Sequence, residues 1–136
     1  MRTIYFLFTA LLFTISACDG IADVPIQQSK LVGFWKLIRI TGGFSGQGYP
    51  ADFTNVEFKN NNTYRVNNQD EAKGEGTYTL TTTGDKLTLT LTPNDATKIG
   101  FEEYEKDVVF DGAQLFLNDP CCDLFSYEFG KETGDD

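Results

Sequence analysis

Residues 76–92 read GTYTLTTTGDKLTLTLT, two alternating stretches hinged at Thr83-Gly84-Asp85. In 76–82, Tyr78 and Leu80 alternate with Thr77, Thr79 and Thr81; in 86–92, Leu87, Leu89 and Leu91 alternate with Thr88, Thr90 and Thr92. Successive side chains of a β-strand point to opposite faces, so a period of two marks a strand with one face on a core and one in water. That is the pattern of antiparallel sheet rather than of a parallel sheet buried on both sides. With a glycine in the connection, the pair predicts a β-hairpin.

Working outward, further strands are expected at 34–41, 53–59, 63–67, 104–110, 114–117 and 124–131. The asparagines at 60–62 tolerate positive φ and suit a turn between the second and third of these, and Asp111-Gly112 is a strong hairpin signal. Between 31 and 131 no stretch keeps a 3.6-residue period over helical length. The expectation is an all-β domain, an antiparallel up-and-down barrel of about eight strands. An even number lets the last strand pair with the first and removes exposed edges.

The chain has 136 residues, room for one domain, and a formal charge of -9. That charge argues against nucleic acid and against general adhesion to anionic headgroups. Histidine is absent, which removes the commonest general base and the commonest metal ligand together. No cofactor and no metal are implied, and an enzyme is not expected.

Residues 1–17 carry Arg2, an apolar run over 4–15 broken only by Thr9 and Thr14, and then Ser16 and Ala17, the plan of a secretory signal peptide. The run is shorter than the roughly 20 residues a spanning helix needs. Ordinary signal peptidase requires a small side chain three residues before the cut, where Ile15 stands. Ile15-Ser16-Ala17-Cys18 instead resembles the lipobox of bacterial lipoproteins. The resemblance implies diacylglyceryl transfer to the Cys18 thiol, cleavage before it, and anchoring of the protein to a membrane of the cell envelope. Two or three acyl chains make such an anchor effectively permanent. Asp19 is similar both to an inner-membrane retention signal of enteric bacteria and to surface-export signals of Bacteroidota, so the leaflet stays open. Residues 18–28, with Pro25 and two glutamines, read as a tether, 29–131 as the barrel domain and 132–136 as an acidic tail.

Gly33-Phe34-Trp35 in the first expected strand resembles the Gly-x-Trp signature of lipocalin-like barrels. Residues 31–35 together with 119–129 are similar to the small lipocalin-like domains of many Bacteroidota lipoproteins. The resemblance implies a barrel whose interior takes a small hydrophobic ligand, with Trp35 packed across the closed end. On that reading Trp35, Val56, Phe58, Tyr64, Tyr78, Leu80 and Leu89 line the interior, and the glycine-rich loop 41–52 covers the mouth with Phe44 and Tyr49. The same apolar residues form an ordinary core if there is no cavity. In that case the barrel is an interaction module of an envelope protein complex. A phosphate-loop reading of 41–52 fails, because no Lys-Ser or Lys-Thr and no helix start follow.

Glu102, Glu103, Glu105 and Asp107 form a dense acidic run. Strand alternation puts Glu103, Glu105 and Asp107 on one face with Phe101, read as a solvated outer face. Cys121 and Cys122 are the only thiols left once Cys18 is alkylated. A bridge between neighbours is strained, because their Cα atoms lie about 3.8 Å apart. Buried or capping cysteines and a vicinal disulfide both stay open.

Overall fold

The computed structural model describes residues 24–43, 48–95, 101, 104–121 and 125–132. One helix, α1 (Val24–Leu31), precedes strands β1 (Gly33–Gly42), β2 (Gly48–Tyr49), β3 (Asn55–Phe58), β4 (Thr63–Asn68), β5 (Glu71–Thr83), β6 (Lys86–Pro93), β7 (Glu105–Asp111), β8 (Gln114–Asn118) and β9 (Phe125–Lys131). From β3 to β9 each strand pairs antiparallel with the next, β3 also pairs with β1, and β9 returns to β1. The result is the expected closed eight-stranded barrel. The additional strand β2 shares an edge of β1 with β3: β3 takes Gly33 to Lys36, and β2 takes Ile40 and Thr41.

The hairpin at 76–92 forms in the register its alternation demands, from Gly76 opposite Pro93 to Thr83 opposite Lys86. Gly84 takes φ 60° in its turn and Gly112 takes φ 59° in the β7–β8 turn, the left-handed conformation such two-residue connections require. Asn62 does the same between β3 and β4, with φ 62°. The β4–β5 turn was not anticipated. It falls at Gln69-Asp70, where Gln69 accepts φ 54°, so β5 starts at Glu71 rather than at Gly76.

Strict alternation fails in β1, and the barrel corrects it locally. Trp35 and Ile40 are five residues apart, an odd spacing, yet both side chains lie inside. The register against β9 slips between Leu37 and Arg39, a β-bulge that leaves Ile38 and Arg39 both facing out. Ile38 then lies over the outer face of Gly130, 3.4 Å from where a Cβ would be. Arg39 reaches Glu128 at 2.5 Å.

The meander puts the turns at 59–62, 84–85 and 112–113 at one end of the barrel, together with α1. Trp35 donates its indole N–H to the Leu31 carbonyl at 2.7 Å, occupying an orphan acceptor at the last turn of α1. Gln28 bonds Asn62 at 2.5 Å, and Tyr78 donates its hydroxyl to the Lys59 carbonyl at 2.8 Å. Helix α1 occupies part of the stretch read as tether. Pro25 falls in its first turn, where a missing N–H costs nothing.

Gly76 of β5 lies between two partner strands, opposite Tyr64 on one side and Pro93 on the other. A Cβ there would overlap the Thr92 carbonyl oxygen, whereas one at Gly84 would meet nothing within 4 Å. Gly76→Ala should lower stability by about 3 kcal/mol through this backbone clash. Gly84→Ala should lose only about 1 kcal/mol, from φ alone. Urea denaturation of the two variants checks the ranking.

Candidate functional site

Most residues nominated as interior are interior, and they touch one another. Trp35, Val56, Phe58, Tyr64, Tyr78 and Leu89 are buried, and Leu80 is half-buried against them. Phe58 meets Tyr78 edge-on at 5.3 Å between ring centroids and Tyr64 at 6.4 Å. Tyr49 is instead on the surface, 37 % exposed, with its ring edge-on to Phe125 at 4.9 Å. Phe44, Cys18 and Cys122 lie outside the described residues, and Cys121 is exposed.

Opposite the α1 end, the barrel is filled by aromatic rings. Phe53 lies 5.2 Å from Phe101, and it stacks at 6.3 Å on both Tyr127 and Phe129. Phe101 meets Tyr127 at 5.1 Å. This corrects the placement of Phe101 on the outer face with the carboxylates. Strand β7 starts only at Glu105, so a period of two cannot be counted back to 101, and Phe101 is buried in the core. Glu105 is exposed as expected, while Asp107 is partly buried on the outer face and accepts an ion pair from Lys86 at 2.9 Å.

Among these rings lies a charge pair that the sequence reading missed. Lys106, from β7, points inward and pairs with Asp119, the residue after β8; both side chains are 0 % exposed. The ammonium is 4.6 Å from the Tyr127 ring centroid and 5.5 Å from that of Phe101, within cation–π range of each. The second oxygen of Asp119 accepts the Phe125 N–H at 3.0 Å, and the Asp119 N–H donates to the Phe125 carbonyl at 3.0 Å. Asp119 therefore also fastens the connection from β8 to β9. A signal was present: Tyr104, Lys106, Val108 and Phe110 share the face opposite the acids, and Lys106 is the only charge on it.

Two tyrosines stay neutral in this interior. Burial, and after it the neighbouring Tyr104, pushes the Tyr64 hydroxyl up to about 12 from its ordinary 10.0. Burial also raises Tyr78, against the hydrogen bond with Gln28. Among the described residues no group of three or more Cys, Asp or Glu side chains is placed to hold a metal ion. None of the described helices is long and apolar enough to cross a membrane.

Removing one partner of a buried pair leaves the other uncompensated. Lys106→Met and Asp119→Asn should each lose about 3–5 kcal/mol, and the double variant should lose clearly less than their sum. A double-mutant cycle by urea denaturation measures that coupling. The Tyr64 shift also predicts an alkaline dependence. A proton held more tightly in the folded state supports folding fully below pH 10 and is lost as an asset as pH rises toward 12. The urea midpoint should fall across that window, and should fall less in Tyr64→Phe.

No family model matches the sequence, and no curated protein matches it. Among solved structures, a DUF4847 family protein from Bacteroides vulgatus superposes with a TM-score of 0.53 at 14 % identity, covering 81 % of this chain and 99 % of that one. At that identity the likeness shows the fold, and the chain is to that extent similar in architecture to a Bacteroides barrel of that family.

Proposed function

We propose that this chain is a bacterial lipoprotein, cut before Cys18 and held by lipid at the cell envelope, whose lipocalin-like barrel binds a small hydrophobic molecule with an anionic head. The observation that carries the binding reading is the Lys106–Asp119 pair, fully buried beside Phe101 and Tyr127. A core gains little from such a pair, since packed apolar side chains of similar volume usually serve stability as well or better. An anionic ligand head would take the place of Asp119 against Lys106, with the rings of Phe53, Tyr127 and Phe129 parting to admit its apolar remainder. A permanent anchor suits local capture better than carriage between compartments. The role is one of binding rather than catalysis.

The ring-to-ring contacts of Phe58 with Tyr64 and Tyr78 favour a second reading, a packed barrel that serves an envelope protein complex through its surface. Native mass spectrometry of the protein after detergent extraction separates the two. The expected result is a chain beginning at acylated Cys18 with a retained small amphiphile. That ligand should be missing from Lys106→Met, with a melting curve run alongside to show that the variant is folded. An empty barrel co-purifying with a protein partner would select the second reading. An unmodified chain beginning at Met1 would remove the lipoprotein assignment.

A further inference from the structure

At the α1 end, Lys30, Trp35, Phe110, Gly112 and Lys131 line a cleft of about 330 Å³. Its two lysines differ from most of the described cations. Arg39, Lys59, Arg65, Lys73, Lys86 and Lys106 each lie within 3.9 Å of a carboxylate. Among the described residues only Lys30, Lys36 and Lys131 form no ion pair, and two of these three share this cleft. In a chain with 20 acidic side chains against 11 basic ones, that is a local reversal of the prevailing charge.

Lys131 is also held in place. Its ammonium stands 5.3 Å over the Trp35 ring and 3.4 Å from the Lys30 carbonyl oxygen. Its stem passes Gly33, where a Cβ would come within 3.3 Å of it. Trp35 and Phe110, 6.4 Å apart and tilted by 44°, give the cleft an aromatic wall. Gly112, in its turn, has no side chain to fill the opening. A fixed ammonium and a second, exposed one beside an apolar wall suit a compact anion attached to a short carbon chain.

We propose that this cleft binds the phosphate of an anionic phospholipid headgroup in the membrane that anchors the protein. The occupant follows from where the chain is tied, so the proposal rests on the lipoprotein reading. Cys18 is six residues before Val24, a span of at most about 20 Å when fully extended. Helix α1 adds roughly 9 Å more between Val24 and Lys30. The cleft therefore lies within roughly 30 Å of the anchored residue, a reach that includes the headgroup layer, and Ile26, 52 % exposed on α1, offers that surface an apolar contact. The overall negative charge opposes adhesion in bulk, but the tether supplies the local concentration of headgroups that a single weak site needs.

Trp35 is the sole tryptophan, so its fluorescence reports the cleft directly. The full protein is reconstituted into vesicles of phosphatidylcholine alone or with phosphatidylglycerol, and sn-glycerol 3-phosphate or glycerol is added to the first. The expected result is a change of Trp35 emission with phosphatidylglycerol, and a saturable one with glycerol phosphate, but none with glycerol. Lys30→Gln should weaken the glycerol phosphate response by about tenfold, the low end of what a hydrogen bond to a charged group contributes, while Lys36→Gln leaves it unchanged. Lys30 is exposed, so that variant keeps the fold; Lys131→Gln serves as the second. A response to glycerol phosphate without one to phosphatidylglycerol would overturn the lipid as occupant. Silence to both, or an unaltered Lys30→Gln, would overturn the cleft as an anion site. Intact mass of the same sample reads acylation separately: an unacylated chain removes the anchor, while the glycerol phosphate arm still tests the cleft.

Discussion

Pairing of β1 with β9 along its whole length, from Trp35 opposite Lys131 to Gly42 opposite Phe125, is the constraint on which the rest of the structure depends. Once that seam is closed, every backbone edge of the eight-stranded sheet has a partner, and one face of each strand must be interior. The seam also determines local irregularities. The bulge between Leu37 and Arg39 exists because two inward residues stand at an odd spacing, and without it either Trp35 or Ile40 would face water. On the outer face the same bulge lets Arg39 cover Glu128, a buried carboxylate of β9.

The two ends of the barrel are built on different chemistry. At the α1 end two rings carry polar tips that find main-chain oxygens: the indole of Trp35 finds Leu31, and the phenol of Tyr78 finds Lys59. At the other end Phe53, Phe101 and Phe129 pack with Tyr127, and among the described residues the charges set between these rings are Lys106 and Asp119. One end is thus stitched to backbone, and the other is plugged by apolar surface around an ion pair.

How much of this was legible depends on the range of the interaction concerned. The hairpin at 76–92 was readable because its pattern and its turn are local, and barrel closure followed from the parity of the strand count. The β4–β5 turn was hidden because Gln69 gives no sign that it accepts positive φ. Helix α1 was hidden because eight residues carry too little apolar periodicity to stand out, and it gains its stability from docking on the barrel. Lys106 could have been read as inward from the period of β7. Asp119, past the end of β8, lies on no periodic element and could not. The cleft at the α1 end was beyond reach, since its five residues come from the start of the domain, the β7–β8 turn and the last strand.

The seam has a temporal side as well. Strands β3 to β8 can each pair with a neighbour as soon as it exists, but β1, among the first strands made, waits for β9, among the last. Until residue 131 is in place, the β9 edge of β1 has no partner, and Phe53 and Phe101 lack the rings of Tyr127 and Phe129. The native state is reached only by the complete domain, and a chain truncated by a single strand at its carboxyl end is an open, adhesive sheet rather than a smaller barrel.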